Sequence, residues 1–179
     1  MERGNLDDRL LVERCNAGDP QAFEALYAYH RQWVFSLAIR FLGNHDDAGD
    51  ALQDSFTYLF RQFPGFRLTS TIRAFLYPVI KHCSVSIARK RRAVINLDSV
   101  QEQGLEASFG LVWESETPGD FERLIRPLSP EHQEVVRLRF ALDMRLHEIA
   151  DALEIPIGTV KSRLHTALST LRKENSQVD

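Results

Sequence analysis

The sequence is poor in cysteine and has no long apolar run, and each shortage excludes a class of protein. Only two cysteines, Cys15 and Cys83, occur among 179 residues, too few for a disulfide framework. We expect both to be small buried side chains. No apolar stretch approaches the roughly 20 residues that span a bilayer, so we expect no membrane insertion. The N-terminal stretch mixes both charge signs and lacks a signal-peptide apolar block, which favours a cytoplasmic protein.

Catalytic and metal-binding patterns are also missing from the sequence. The six histidines are scattered, and the pair His82-Cys83 has no partners at ligand spacing. Structural zinc needs cysteine and histidine at short regular spacings, and nucleophilic catalysis needs a nucleophile beside a base. We therefore expect a protein that is not an enzyme and that uses no metal and no other cofactor.

The net charge of only −3 conceals a strong segregation of charge along the chain. Residues 61–92 contain eight basic and no acidic residues, which gives this segment a net charge of +8. Residues 1–60 have a net charge of −5, residues 93–134 of −7, and residues 135–179 of +1. Such segregation suits a protein that meets different partners on different faces.

Apolar residues recur at helical spacing through most of the chain, and residues 93–119 interrupt this pattern. Helix starts are predicted at Asp19-Pro20, after Asn44, at Ser70 and at Ser129-Pro130. Residues 93–119 are acidic, weakly periodic and end on Pro118-Gly119. The sequence thus predicts an all-α fold of two small helical domains, residues 1–92 and 120–179, joined by a flexible acidic linker over residues 93–119.

Residues 146–170 match a helix-turn-helix pattern. Apolar positions lie on each side of the short turn EIPIG, and Ala150 supplies the small residue that a helix crossing needs. Polar residues that can reach phosphates or base edges lie off the Val160–Leu164 side of the second helix: Thr159, Lys161, Ser162, Arg163, His165 and Thr166. An amphipathic hairpin with a solvated charged face is the alternative reading of the same residues.

Four aspartates cluster at the start of the helix that follows Asn44. Asp46 and Asp47 are explained by the helix dipole, which favours acidic residues in the first turn. Asp50 and Asp54 lie four residues apart, and like charges at that spacing repel by about 0.2–0.5 kcal/mol. A basic partner surface would compensate this repulsion, so we expect the face formed by Asp47, Asp50, Gln53 and Asp54 to bind a partner.

The basic segment 61–92 also contains aromatic residues. Its cations are Arg67, Arg73, Lys81, Arg89, Lys90, Arg91 and Arg92, and its rings include Phe66, Phe75 and Tyr77. Cations that neutralise phosphates and rings that stack on unpaired bases are what single-stranded DNA binding requires. The alternatives are that Phe75 belongs to the core and that the basic run is a solvated helix end.

In this order, the motifs resemble an extracytoplasmic-function (ECF, group IV) sigma factor of bacterial RNA polymerase. Residues 22–92 resemble region 2, through the stretches DAGDALQDSF and STIRAFLYPVIKH. Residues 121–173 resemble region 4, through LSPEHQEVVRLRF and EIADALEIPIGTVKSRLH.

The resemblance implies a promoter-recognition subunit. The acidic face would bind the polymerase clamp, and region 4 would contact the flap and place residues 157–170 in the major groove of the -35 element. The basic and aromatic segment, with His82 added to its residues, would hold the melted -10 element, and an anti-sigma factor is a further expected partner. Departures from the family pattern at Gly49, Pro78, His82 and Thr166 keep one alternative open, a sigma-like decoy that binds an anti-sigma factor without recognising DNA.

Overall fold

The computed structural model describes residues 3–95 and 120–175, and within them residues 3–7, 92–95, 120 and 175 by backbone only. The described residues form helices joined by short connections, which confirms the predicted all-α class. Two compact units are present, Met1–Phe109 and Gly110–Asp179. The predicted linker lies outside the described residues, apart from residues 93–95, which continue a helix.

The first unit contains α1 (Arg3–Asn16), α2 (Pro20–Leu42), α3 (His45–Phe60) and α4 (Ile72–Ile95). Helices α2, α3 and α4 pack against one another, and α1 packs on α2. The largest fully buried apolar side chains of this unit are Leu26, Leu37, Leu59, Ile72, Leu76 and Ile80. In addition, Nε2 of His30 and Oδ1 of Asp8, both buried, are hydrogen-bonded at 2.8 Å and join α2 to α1.

Local chemistry explains where α2 and α3 begin and end. Asp19 caps α2 by accepting a hydrogen bond from the Gln21 N–H, and Gly43 ends it in the left-handed conformation with φ of +73°. Asn44 caps α3 by accepting from the Asp47 N–H at 2.8 Å. The predicted starts of both helices are confirmed.

The predicted cap of α4 is one residue early. The hydroxyl of Thr71, not that of Ser70, accepts the hydrogen bond from the Ala74 N–H at 3.2 Å. Two adjacent residues could each cap a helix, and the one directly before Ile72 does so. Pro78 lies inside α4, and the helix continues to Ile95, three residues past the expected boundary at 92.

The second unit contains α5 (Asp120–Ile125), α6 (Pro130–Val136), a π-helical turn over Arg137–Ala141, α7 (Leu146–Leu153) and α8 (Ile157–Asn175). Helices α6 and α7 both pack on α8. Ile125, Leu138, Met144 and Ile149 are fully buried. Phe140 follows the buried Val136 at helical spacing, yet it is 53% exposed at the π-helical turn. Ser129 begins α6, but its hydroxyl bonds the His132 ring at 2.8 Å instead of a backbone N–H.

The two cysteines differ in their environments. Cys15 is buried, as predicted, and burial raises the pKa of its thiol. Cys83 is only half-buried, so the prediction of two buried thiols is wrong for this one. Neither forms a disulfide.

Candidate functional site

The acidic face of α3 is anchored by its own N-terminus. Nδ2 of Asn44 donates to Oδ2 of Asp47 at 2.6 Å, so that one side chain caps the helix and orients the first carboxylate. The same Oδ2 atom lies 3.4 Å from Nη1 of Arg91 on α4. Asp50, Gln53 and Asp54 follow on the outer face of α3 and are exposed.

The end of α4 faces this acidic surface. An open cleft of about 440 Å³ is lined by the four residues of the acidic face together with Ile87, Lys90 and Arg91. The repulsion among the α3 carboxylates is therefore partly compensated inside the unit, by the cations of α4. The structure brings together two groups that the sequence suggested for different partners, the acidic face and the basic run.

A cluster of aromatic rings lies beside the start of α4. The ring centroid of Phe75 is 4.8 Å from that of Phe66 and 6.2 Å from that of Tyr58, with which it stacks. Tyr58 is 48% exposed and was not among the sequence candidates. It lies off the apolar stripe of α3, and an aromatic residue outside such a stripe is the signal that could have identified it.

The other predicted ring is not accessible. Tyr77 is only 2% exposed and contacts Phe41, so its ring lies in the core and cannot stack on a DNA base. Its place in the expected DNA-binding set is therefore incorrect. Helical spacing explains the burial, because Ile80 and Ser84, three and seven residues further along the same face, are buried as well.

The remaining candidates of this surface differ in exposure. Arg73 is half-buried, with its guanidinium carbon 5.5 Å from the centre of the Trp33 ring in a cation–π contact. Lys81 is also half-buried. The exposed candidates are Arg67, His82, Arg89, Lys90 and Arg91. The side chain of Arg92 lies outside the described residues.

Helices α7 and α8 form the predicted helix-turn-helix. The Ile155 N–H donates to the Ala150 carbonyl at 3.0 Å and closes the end of α7, where Glu154 adopts a φ of +53°. Ala150 is buried, as the predicted helix crossing requires. The inner face of α8 is made of Val160, Leu164, Ala167 and Leu171, all buried.

The outer face of α8 presents most of the predicted polar residues. Lys161, Ser162, His165 and Thr166 are exposed and Thr159 is half-buried. The hydroxyl of Ser162 donates to the Thr159 carbonyl at 3.0 Å. Arg163 is directed elsewhere: its Nη2 atom lies 2.6 Å from Oε2 of Glu131 on α6.

Across 3–95 and 120–175, no three histidine, cysteine, aspartate or glutamate side chains lie close enough together to hold a metal ion. None of the helices in these ranges combines the length and apolar character that a bilayer crossing requires.

Comparison with known proteins identifies two sigma-70 modules in the chain. The sigma-70 region 2 family matches residues 26–94, and the sigma-70 region 4 family matches residues 124–173. The ECF RNA polymerase sigma factor SigW of Bacillus subtilis is 25% identical over 175 residues, which cover 91% of this chain and 94% of that protein. The ECF RNA polymerase sigma-E factor of Escherichia coli K12 is 27% identical over 175 residues, covering 90% and 91%.

Solved structures agree with this assignment. The sigma factor RpoE in complex with the anti-sigma factor NepR, from Bartonella quintana, is 26% identical, with a TM-score of 0.56 and coverage of 84% of this chain and 94% of that one. CnrH, solved with the cytosolic domain of CnrY, has the same fold, with a TM-score of 0.65, 21% identity and coverage of 97% and 99%. Because both sigma modules are matched in order and the relatives are similar along most of the chain, this protein belongs to the ECF RNA polymerase sigma factors, which are transcription initiation factors and not enzymes.

Proposed function

We propose that this sigma factor binds the -35 element through the outer face of α8. The observation that carries the proposal is that buried and exposed side chains lie on opposite sides of this helix. Val160, Leu164 and Ala167 are buried, whereas Lys161, Ser162 and His165 are exposed on the opposite side. A helix whose inner face belongs to the domain core can place its outer face in the major groove, with its N-terminal residues at base edges and phosphates.

The proposed -10 surface combines the ring cluster of the first unit with the cations around it. Phe75 and Phe66 are half-buried, so part of each residue is accessible to solvent, and Arg67, His82, Arg89 and Lys90 are exposed. Rings that stack on bases and cations that track the backbone are the two components of single-strand binding. Tyr77 takes no part in this proposal, because its ring is in the core.

The proposed polymerase surface is the acidic face of α3. Asp50, Gln53 and Asp54 are exposed and lie on one side of a helix whose opposite side is in the core. A basic surface on the clamp would neutralise these carboxylates and would compete with Arg91 for Asp47, which already forms an ion pair within the unit. Contact between region 4 and the flap remains an expectation from the family.

Regulation by an anti-sigma factor is a second part of the proposal. The Bartonella quintana relative was solved with such a partner, and it is 26% identical, with 84% of this chain and 94% of the relative covered. We therefore propose that an anti-sigma factor binds this chain as well. Its place of action would be the cytoplasm, where core RNA polymerase engages promoter DNA.

Run-off transcription tests the proposed function directly. Core RNA polymerase is combined with the purified chain and with genomic promoter fragments, and transcripts are compared with those of core enzyme alone. We expect discrete transcripts that depend on the added chain and that map downstream of paired -35 and -10 elements. A chain that binds an anti-sigma factor and yields no transcript from any fragment would instead be the sigma-like decoy.

A further inference from the structure

The side chain of Asn16, at the end of α1, holds the loop between α3 and α4 by three hydrogen bonds. Its Oδ1 atom accepts from the backbone N–H of Gly65 at 2.6 Å and from that of Phe66 at 3.0 Å. Its Nδ2 atom donates to the Phe66 carbonyl at 2.9 Å. The partners lie 49 and 50 residues apart in sequence, and one side chain thereby satisfies three backbone groups of a segment outside the helices.

The backbone conformation of the loop directs its polar groups toward the Asn16 side chain. Gly65 has a φ of +100°, a conformation that residues with a side chain rarely adopt, and two successive N–H groups converge on one oxygen. A Cβ atom at Gly65 would meet nothing within 4 Å, so the requirement for glycine comes from the backbone angle and not from lack of space. An amide side chain that both accepts and donates matches the three backbone groups.

The anchored residues are next to the proposed -10 surface. The Phe66 ring packs edge-on against Phe75, at a centroid distance of 4.8 Å and an interplanar angle of 64°. It also contacts Phe63 at 5.4 Å. Arg67, the next residue in the chain, is exposed. A shift of the Phe66 backbone would therefore move one ring of the cluster and the first cation of the loop together.

We propose that Asn16 is a positioning residue for recognition of the -10 element. It holds the Gly65–Phe66 backbone so that Phe66, Arg67 and Phe75 are already arranged when the melted strand arrives. Without this anchor the loop would have to be ordered during binding, and the lost conformational entropy would weaken recognition. The proposal rests on the proposed function, in which these residues face DNA, and Asn16 itself acts only through the loop.

The test measures base discrimination by holoenzyme. Core polymerase is assembled with the wild-type chain, Asn16→Ala, Asn16→Asp or Arg14→Ala, on a promoter fragment recovered by run-off transcription. Single-base changes are introduced through the -10 and the -35 elements, and transcription from each template is compared with the unchanged fragment. Arg14→Ala is the matched control, because it removes the Arg14–Asp19 ion pair of 2.7 Å at the same end of α1, and that pair does not include a residue of the loop.

We expect Asn16→Ala to lower discrimination at the -10 element by roughly three- to tenfold, the range for lost hydrogen bonds of ordinary strength. Discrimination at the -35 element should stay at the wild-type level. Asn16→Asp retains an acceptor for both N–H groups but sets a carboxylate oxygen against the Phe66 carbonyl in place of the donor, so it should also lower discrimination at the -10 element. Arg14→Ala should match the wild type.

Each other outcome overturns the proposal for a distinct reason. If wild-type holoenzyme does not discriminate at the -10 element, the DNA-facing role of the loop is wrong, and the role of Asn16 fails with it. If the wild type discriminates and both Asn16 variants do so equally well, the assignment of Asn16 alone is wrong. If Asn16→Ala loses -10 and -35 discrimination equally, the residue supports the fold in general.

Discussion

Arg163 is expected to contact DNA, but its side chain already forms an ion pair within its own unit. Its guanidinium lies 2.6 Å from the Glu131 carboxylate, and its side chain is only 24% exposed. To contact a phosphate, Arg163 must either leave Glu131 or bring a carboxylate toward a negatively charged backbone. Both reduce affinity. We therefore expect Glu131 to restrain -35 binding through the same side chain that is expected to promote it.

Replacing Arg163 with alanine should weaken binding to duplex DNA that carries the -35 element. Loss of one phosphate contact should also reduce the slope of log affinity against log salt concentration by about 0.9. Fluorescence anisotropy of a labelled duplex at several salt concentrations measures both quantities. Lys173→Ala, at an exposed position near the end of α8, is the control and should alter neither of them. An unchanged salt slope in Arg163→Ala would contradict the assignment.

Replacing Glu131 with glutamine should have the opposite effect. The substitution retains the size of the side chain and removes its charge, and exposed ion pairs are worth about 0.2–1 kcal/mol. We therefore expect affinity for the -35 duplex to rise by roughly two- to fivefold. Glu131→Gln is also measured in the Arg163→Ala background. This double variant distinguishes loss of the Arg163–Glu131 ion pair from loss of repulsion between Glu131 and the DNA phosphates. Equal gains in both backgrounds would show that Glu131 acts on DNA without involving Arg163.

On the scale of the element, the acidic face of α3 combines an ion pair within its own unit with carboxylates that we expect to bind polymerase. Asp47 pairs with Arg91, whereas Asp50 and Asp54 are exposed on the same helix. The helix can therefore retain one carboxylate for its own unit and offer the others to polymerase.

Reversing the charge of Asp50 and Asp54 to lysine should abolish association with core polymerase, because two attractions become repulsions at one surface. Co-purification of the chain with core enzyme measures the effect. The matched control reverses Glu13 and Glu24, exposed residues of α1 and α2, and produces the same change in net charge. Survival of association in the Asp50 and Asp54 variant, or its loss in both variants, would argue against the acidic face.

Gly49 occupies a position in α3 where glycine has no evident packing reason. It lies inside the helix, and a Cβ atom built there would meet nothing within 4 Å. Gly49→Ala should therefore raise the free energy of unfolding by about 0.5–1 kcal/mol, through the reduced backbone freedom of the unfolded chain. Urea denaturation measures the change. Gly43→Ala is the contrasting variant and should destabilise, because Gly43 has a φ of +73°. A loss of stability in Gly49→Ala would mean that alanine is strained at this site.

Most helix ends could be predicted, because capping residues act within a few positions of the helix end. Features that depend on packing between helices could not be predicted. Asp19, Gly43 and Asn44 act through hydrogen bonds or backbone angles within a few residues, so their sequence neighbourhood is sufficient. Phe140 is different, because the Leu142 N–H bonds the Arg137 carbonyl at 3.1 Å in a π-helical turn. That extra residue shifts the helical register and rotates Phe140 out of the core.

In the candidate site, too, local sequence predicted some features, whereas tertiary packing determined others. Composition and spacing were sufficient to group the polar residues of α8 and the carboxylates of α3. They could not separate Phe75 from Tyr77, because an aromatic ring suits a core and a stacking surface equally well. They also could not reveal Asn16, whose hydrogen-bond partners are about 50 residues away in the sequence.

On the scale of the whole molecule, each unit has a core of its own. Leu26, Leu37 and Leu59 are fully buried in the first unit, and Ile125, Leu138 and Ile149 in the second. The interruption of helical periodicity over residues 93–119 was the sequence signal for this division. The two DNA contacts are therefore expected to depend on different cores, although both belong to one chain.

Substitutions in the two cores should separate the two DNA contacts. Leu59→Ala and Ile149→Ala each empty a fully buried position, and such changes cost about 2–5 kcal/mol. We expect Leu59→Ala to lower the thermal transition of the first unit and to impair polymerase binding, with affinity for a -35 duplex retained. Ile149→Ala should have the reverse effect. Circular dichroism melting, anisotropy and co-purification with core enzyme measure the three quantities. If either variant loses both activities together, the units depend on each other for stability, and the predicted boundaries at residues 92 and 120 do not separate independent domains.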